Sequence, residues 1–72
     1  MDYTPVEVIM EKDEFGQDMP AIIRKDDKEY RIKRILHICQ PEDMVIRYTV
    51  QIGRIQRSLF YNGAEWRASA FT

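Results

Sequence analysis

The sequence predicts an all-β protein, and features of its last third carry that prediction. Residues 47–53, Arg-Tyr-Thr-Val-Gln-Ile-Gly, alternate polar and apolar side chains and then reach a glycine. Strict alternation is the period of a strand with one buried face. A second apolar run, Leu59-Phe60-Tyr61, is followed by Asn62-Gly63, a dipeptide typical of tight hairpin turns, and then by Trp66. This part of the chain therefore reads as a β-meander.

Two strands are predicted in the first third of the chain. The first covers residues 6–11, where Val6, Val8 and Met10 share one face. Polar residues 13–18 contain a glycine and form the loop that follows. The second strand covers residues 19–25 and has Pro20 near its start, a position that suits an edge strand. Residues 26–28 then form a tight polar turn.

Residues 29–40 admit two readings. Strand parity places Tyr30, Ile32, Leu36 and Ile38 on one face, but Arg34 shares that parity and residue 35 breaks it. Helical spacing also half fits, because residues 32, 35, 36 and 39 would form one stripe. We favour a strand, since the segment is rich in isoleucine and tyrosine and follows a short turn. A bulge near residue 34 or 35 would help to bend the sheet into a barrel.

The central strand is predicted over residues 45–52, after residues 41–43 end the preceding element. Its inward side chains are Ile46, Tyr48, Val50 and Ile52. The last strand covers residues 65–71 and is anchored by Trp66.

The strand between these two begins at residue 55 or 56 and ends at residue 61, and its register has two solutions. A two-residue turn at residues 53–54 sets Ile55 opposite Ile52 and directs residues 59 and 61 inward, together with Arg57. A longer loop directs Phe60 inward instead.

Length and composition predict one domain, residues 1–72, with 44% hydrophobic residues to build its core. A six-stranded sheet of this size has unpaired edges and one apolar face. It either curls into a small barrel or pairs with a second copy. We predict a barrel of five or six antiparallel strands joined by meander hairpins, of the Src-homology-3-like or OB-like type.

The single cysteine, Cys39, cannot form an internal disulfide, which favours a reducing compartment. No apolar run approaches the roughly 20 residues needed to cross a bilayer, and the first residues lack the features of a signal peptide. We therefore expect a cytoplasmic protein with no membrane partner. Nothing in the sequence indicates a cofactor.

Charge is unevenly distributed along the chain, although its net value is only −1. Residues 1–19 carry six acidic side chains and one lysine, a net charge of −5, and residues 20–72 carry ten bases and six acids, a net charge of +4. Complementary neighbours on a small barrel would explain this asymmetry, and so would a basic face for an anionic partner. We favour the first explanation, because a net charge near zero attracts a polyanion weakly over long range.

Groups suited to catalysis or metal binding are scarce. His37 is the only histidine and lies two residues from Cys39, so a strand would direct both to one face. Such a pair can be a nucleophile with its base or half of a metal site, but a lone cysteine is more often a small buried apolar residue. We therefore predict no catalytic residue and no metal site.

Arginine side chains interleaved with aromatic ones are the most suggestive functional feature. Small barrels that bind single-stranded nucleic acid combine a basic groove with aromatic residues on which bases stack. Tyr48 has inward parity and Trp66 is large, which leaves Phe60 or Tyr61 for stacking. The predicted binding face consists of Arg31, Lys33, Arg47, Gln51, Arg54, Arg57, Phe60 and Arg67.

The pattern Arg-Tyr-Thr-Val-Gln-Ile-Gly, Leu-Phe-Tyr and Trp66 resembles that of a group of short uncharacterised proteins of Gram-positive bacteria. The resemblance spans about residues 6–67, and the chain departs from it at Arg54 and Ala64, where glycine is expected, and in its tail. The resemblance implies a bacterial protein but no activity. A fainter similarity, to a small domain found beside Y-family DNA polymerases, implies an accessory role near DNA repair.

Three hypotheses for function follow. The first is a non-enzymatic accessory module that binds another protein or associates with itself through an edge strand. The second is a small barrel that binds single-stranded nucleic acid in DNA metabolism. The third, an enzyme that uses Cys39 and His37, requires an accessible thiol of lowered pKa.

Overall fold

The computed structural model describes residues 3–69. None of these residues is helical, and the all-β class predicted from the sequence is confirmed. The described part of the chain contains seven strands, which are β1 (Tyr3–Lys12), β2 (Asp18–Lys25), β3 (Lys28–Arg31), β4 (Arg34–Glu42), β5 (Val45–Ile52), β6 (Ile55–Tyr61) and β7 (Trp66–Ser69). The number exceeds the predicted five or six because the strand expected over residues 29–40 is interrupted at residues 32–33.

The strands form one antiparallel sheet in the order β3-β2-β1-β7-β6-β5-β4. Two meanders, β1–β3 and β4–β7, join where the first and last strands pair, with Thr4 opposite Ala68. The sheet curls into a half-barrel. Residues 70 and 71, which the sequence assigned to the last strand, lie outside the described residues.

The link between β3 and β4 connects the two ends of the strand order. The N–H of Ile32 donates to the carbonyl of Ala21 in β2 at 2.9 Å, and the N–H of Lys33 donates to the carbonyl of Gln51 in β5 at 2.7 Å. Consecutive residues therefore bond to β2 and β5, which lie in opposite halves of the sheet and are each next to an end strand, and this requires the sheet to curl. The register shift expected near residue 35 lies between Ile35 and His37.

A two-residue turn at Gly53-Arg54 fixes the register of β6. Ile52 pairs with Ile55, and Gly53 has a φ of 60°, as a hairpin turn with glycine in its first central position requires. Of the two registers that the sequence left open, the structure has the first. Leu59 is therefore opposite Tyr48, and Phe60 is on the other face of the sheet.

The core lies on the concave face of the sheet. Its buried side chains are Ile23, Tyr48, Val50, Leu59 and Ala68. Partly buried apolar residues surround them, including Tyr61 and Trp66, whose rings stack with centroids 4.4 Å apart. The inward direction predicted for alternate residues of β5 is confirmed, and the opposite, outer face carries the remaining side chains.

Within residues 3–69 we find no helix of the length and apolarity that crossing a membrane requires.

Candidate ligand-binding face

Three side chains form a continuous row across the outer face of β5, β6 and β7. Arg47 pairs with Phe60, and Phe60 pairs with Arg67. Directly opposed residues of antiparallel strands have Cβ atoms about 4.5–5.5 Å apart, so each side chain is in contact range of the next. We call Arg47, Phe60 and Arg67 the Arg–Phe–Arg row.

The pleat of each strand directs this row outward. Tyr48, Leu59 and Ala68 are the neighbours of the three residues along the chain, and all three are buried in the core. Successive side chains of a strand point to opposite faces. Arginine and phenylalanine are therefore brought together on the surface by the burial of the apolar residues next to them.

A second aromatic residue extends the row. The ring of Tyr3 meets the ring of Phe60 edge to face, with centroids 4.6 Å apart. Tyr3 pairs with Ser69 of β7, and a small residue there leaves room for the ring to reach β6. The sequence prediction missed Tyr3 because its first strand began at residue 6. Extending the alternation of Val6 and Val8 backward would have placed residue 3 on the outer face.

Arg47 is the least satisfied side chain in the row. Its Nε is buried, has no hydrogen-bond partner within the described residues, and is the one buried side-chain nitrogen or oxygen there in that condition. Leaving a buried donor unpaired costs about 1–3 kcal/mol, and more for a charged group. Because of this cost, packing alone does not explain why an arginine occupies position 47.

Four of the five cations of β1–β3 form ion pairs with carboxylates within the described residues. Arg24 lies between Glu7 and Glu29 in a cross-strand row, and Arg31 contacts Glu11 at 3.5 Å. The hydrogen bond and charge of Glu29 raise the pKa of Arg24 above its ordinary value. Most cations in this part of the sheet therefore have a carboxylate as a close neighbour.

Most cations in the second half of the sheet, residues 32–69, form no ion pair with a carboxylate of the described residues. Residues 32–69 carry six cations and three carboxylates, a net charge of +3, whereas residues 3–31 carry five cations and eight carboxylates, a net charge of −3. Among the six, only Arg67 has an ion pair within the described residues, with Glu65 at 3.4 Å. Cations without such a pair are Lys33, Arg34, Arg47, Arg54 and Arg57.

The remaining predicted binding residues are divided between different parts of the fold. Gln51 lies on the outer face between Arg34 and Gln56, and Arg54 lies in the neighbouring turn. Arg57 pairs with Val50, so it belongs to the concave face and is separated from the Arg–Phe–Arg row by the sheet.

Arg31 and Lys33 line a different feature. An open groove of about 650 Å³ lies between the β1–β2 loop and the β3–β4 link. Four cations and three carboxylates line it, and they are Lys12, Arg31, Lys33, Arg34, Glu11, Asp13 and Glu14. The mixture of charges gives the groove no preference for anions. The eight predicted residues thus do not form one surface, and the compact part is the Arg–Phe–Arg row with Gln51 beside it.

His37 and Cys39 share the outer face, as the spacing predicted. They pair with Thr49 and Arg47 of β5, respectively. His37 is exposed and Cys39 is half-buried. Across residues 3–69, no group of three or more histidine, cysteine or acidic side chains is arranged to hold a metal ion.

No protein-family model, no curated protein and no solved structure matches this chain. The resemblance to short proteins of Gram-positive bacteria therefore stays a prediction.

Proposed function

We propose that the protein is a non-enzymatic binding module that holds single-stranded nucleic acid on the outer face of β5, β6 and β7. The observation that carries the proposal is the Arg–Phe–Arg row. The sequence left open whether Phe60 joins the core or the arginines. The register of β6 favours the nucleic-acid hypothesis over the protein-partner hypothesis that ranked above it, because an aromatic ring lies between two cations on the outer face of the sheet.

The chemistry of the row suits a flexible polyanion with flat bases. Phe60, supported at its edge by Tyr3, offers a ring on which one base can stack. Stacking on an aromatic side chain contributes about 1–3 kcal/mol per base. Arg47 and Arg67 flank the ring at one strand spacing each, about 4.8 Å, and can pair with phosphates on either side of the stacked base.

The unpaired Nε of Arg47 adds to this support. Two oxygens of a phosphate accept hydrogen bonds from two N–H groups of one guanidinium in a bidentate arrangement. A ligand that draws the Arg47 side chain outward therefore gives its donors partners and removes the cost of the buried, unpaired nitrogen. Ligand binding and relief of that cost are coupled.

A cytoplasmic address and an accessory role in DNA metabolism belong to the same proposal. The first rests on the single cysteine, and the second on the faint similarity to a domain found beside Y-family polymerases. Neither requires an enzymatic activity of this chain.

The experiment is a fluorescence-anisotropy titration of a labelled twelve-nucleotide oligothymidylate at low and at moderate salt. We expect binding that weakens with salt, with a slope of log K against log[salt] of about −2 if some three phosphates are neutralised. Phe60→Ala should weaken binding by about tenfold or more, since it removes the stacking ring.

Two matched controls keep that test specific. Phe15→Ala removes a phenylalanine that is 80% exposed in the β1–β2 loop, and Arg24→Ala removes a cation held between two carboxylates. Neither should change affinity by more than about twofold if binding uses the outer row. Absence of binding at low salt, or equal losses in Phe60→Ala and Phe15→Ala, would reject the proposal.

A second candidate function, interaction with another protein, is favoured by a separate observation. β4 is the last strand of the sheet and pairs only with β5 in the described part of the chain. An edge strand of this kind can accept an added strand from a partner.

The protein-interaction candidate is tested with a variant of that edge. Proteins recovered by affinity capture from a bacterial lysate are purified and titrated against the wild type and against Ile38→Lys. Binary binding that is lost in Ile38→Lys supports docking on β4. Equal binding to both forms, or no binary binding, rejects it.

A further inference from the structure

β4 is the exposed edge of this sheet. It is nine residues long, and Leu36 and Ile38 on it are 41% and 47% exposed. β3, at the other end of the strand order, has four residues, of which three are charged. Short, charged strands resist the addition of another strand, whereas long strands with exposed apolar residues invite it.

The two ends of β4 carry opposite charges. Arg34 begins the strand and Glu42 ends it, and both side chains are exposed. Within residues 3–69, neither forms an ion pair. Ile38 lies midway, four residues from each. The strand is therefore complementary to a reversed copy of itself.

We propose that a second copy of this chain pairs antiparallel with β4 about a twofold axis at Ile38. This inference rests on the protein-interaction candidate and names the partner for it. In that register, Ile38 faces its own copy, and Arg34 faces Glu42 of the partner subunit. Two equivalent ion pairs result, one at each end of the shared strand pair. A register shifted by two residues would place Arg34 opposite Gln40 of the partner subunit, so charge selects the centred register.

The irregularities of β4 fit the same axis. Its register with β5 shifts between Ile35 and His37 and again between Cys39 and Glu42, on either side of Ile38. Pro41 lacks a donor and follows the central segment. Residues 37–39, between the two shifts, pair regularly with β5 and include the exposed Ile38 at the proposed axis.

A twofold pairing also closes the assembly. Each copy uses its β4 edge once, and the remaining edge, β3, is short and charged. An isologous interface of this kind produces a dimer and does not propagate into a fibre.

The first test combines sedimentation equilibrium with charge reversal at concentrations from about 10 μM to about 1 mM. Wild type should approach twice the 8.6 kDa mass of one chain. Arg34→Glu and Glu42→Arg should each raise the dimer dissociation constant about tenfold, because each places like charges in contact twice. The variant that carries both substitutions should have a dimer dissociation constant within about threefold of the wild-type value. Arg54→Glu, which reverses an exposed cation in the β5–β6 turn, is the control and should change the dissociation constant little.

The second test uses a cysteine at the axis. Ile38→Cys in a Cys39→Ser background places two thiols opposite each other across the strand pair, within reach of a disulfide after a small adjustment. Ile55→Cys in the same background is the matched control, because Ile55 is also 47% exposed but lies in β6. Mild oxidation should convert the first variant into covalent dimer and the second only in traces.

A mass of one chain at every concentration, equal cross-linking at positions 38 and 55, or a double charge variant no tighter than the single ones would overturn the twofold pairing. If the chain is monomeric but Ile38→Lys still abolishes binding of a purified partner protein, the dimer is rejected and the protein-interaction candidate stands.

Discussion

Phe60 lies directly opposite Arg47 across the β5–β6 pair, on the face of the sheet that points away from the core. The same strand register places the aromatic residues of the last third of the chain on two different faces of the sheet. On the concave face Trp66 stacks on Tyr61 and lies tilted against Tyr48, and on the outer face Phe60 meets Tyr3. One hairpin register thus separates aromatic residues that build the core from those available to a ligand.

We expect Arg47 to lower the free energy of unfolding and to raise affinity for the oligothymidylate. Arg47→Met keeps the length of the side chain and removes the buried, unpaired Nε. We expect the free energy of unfolding to rise by about 1 kcal/mol and affinity for the oligothymidylate to fall about tenfold. Urea unfolding and anisotropy measure the two quantities. Arg67→Met is the comparison for stability, because its exposed ion pair with Glu65 is worth less than about 1 kcal/mol. A loss of stability in Arg47→Met would show that Arg47 is a packing residue.

Adjacent positions of β6 should respond differently to truncation. Leu59 is fully buried, so Leu59→Ala should cost about 2–5 kcal/mol, a large part of the stability of a 72-residue domain. Phe60→Ala should cost clearly less, since Phe60 is only half-buried on the outer face. Urea titrations followed by tryptophan fluorescence provide both values. The reverse order would place Phe60 in the core and contradict the register.

The β2–β3 turn contains a removable strain. Asp26 and Asp27 have φ angles of 52° and 64°, a left-handed conformation that aspartate tolerates less well than glycine. Asp27→Gly should therefore raise the free energy of unfolding by about 1 kcal/mol, as judged by denaturant midpoint at constant slope. Gly53→Ala, at a φ of 60° in the β5–β6 turn, should lower it by a similar amount. No change in either variant would mean that these turns adopt other conformations.

Tyr48 should make stability sensitive to alkaline pH. Burial, with a smaller contribution from Tyr61, raises the pKa of Tyr48 above its ordinary value of 10.0. The unfolded chain therefore loses this proton first as the pH rises, and stability that is fully present below pH 10 declines above it. Tyr48→Phe should flatten the decline between about pH 9 and about pH 11 in urea titrations. An identical decline in the wild type and Tyr48→Phe would show that other groups cause it.

Local patterns predicted the strands well because alternation and turn chemistry act over a few residues. The sequence of Val45–Ile52 and of the turn after it allowed two registers for β6, which direct Phe60 to opposite faces. The pairing of Ile52 with Ile55 across the Gly53-Arg54 turn selects one of them. The interruption at residues 32–33 has no local signal, because it arises when the backbone leaves β2 and bonds to β5.

The candidate face was harder to predict, because it depends on which strands are neighbours. Arg31 and Arg47 look equivalent in the sequence, but β3 and β5 lie in different halves of the sheet. In the structure Arg31 forms an ion pair with Glu11, and Arg47 does not. Arg57 was grouped with the others by its charge, although parity in the chosen register directs it to the concave face. Tyr3 was missed because nothing in residues 1–6 alternates strongly enough to extend the first strand.

The most direct test of the nucleic-acid face is amide chemical-shift mapping of ¹⁵N-labelled protein during titration with the oligothymidylate. Shift changes should centre on Arg47, Phe60 and Arg67, include Tyr3 and Gln51, and leave the Glu7–Arg24–Glu29 row unaffected. Changes confined to β1–β3, or spread evenly over the surface, would contradict the account.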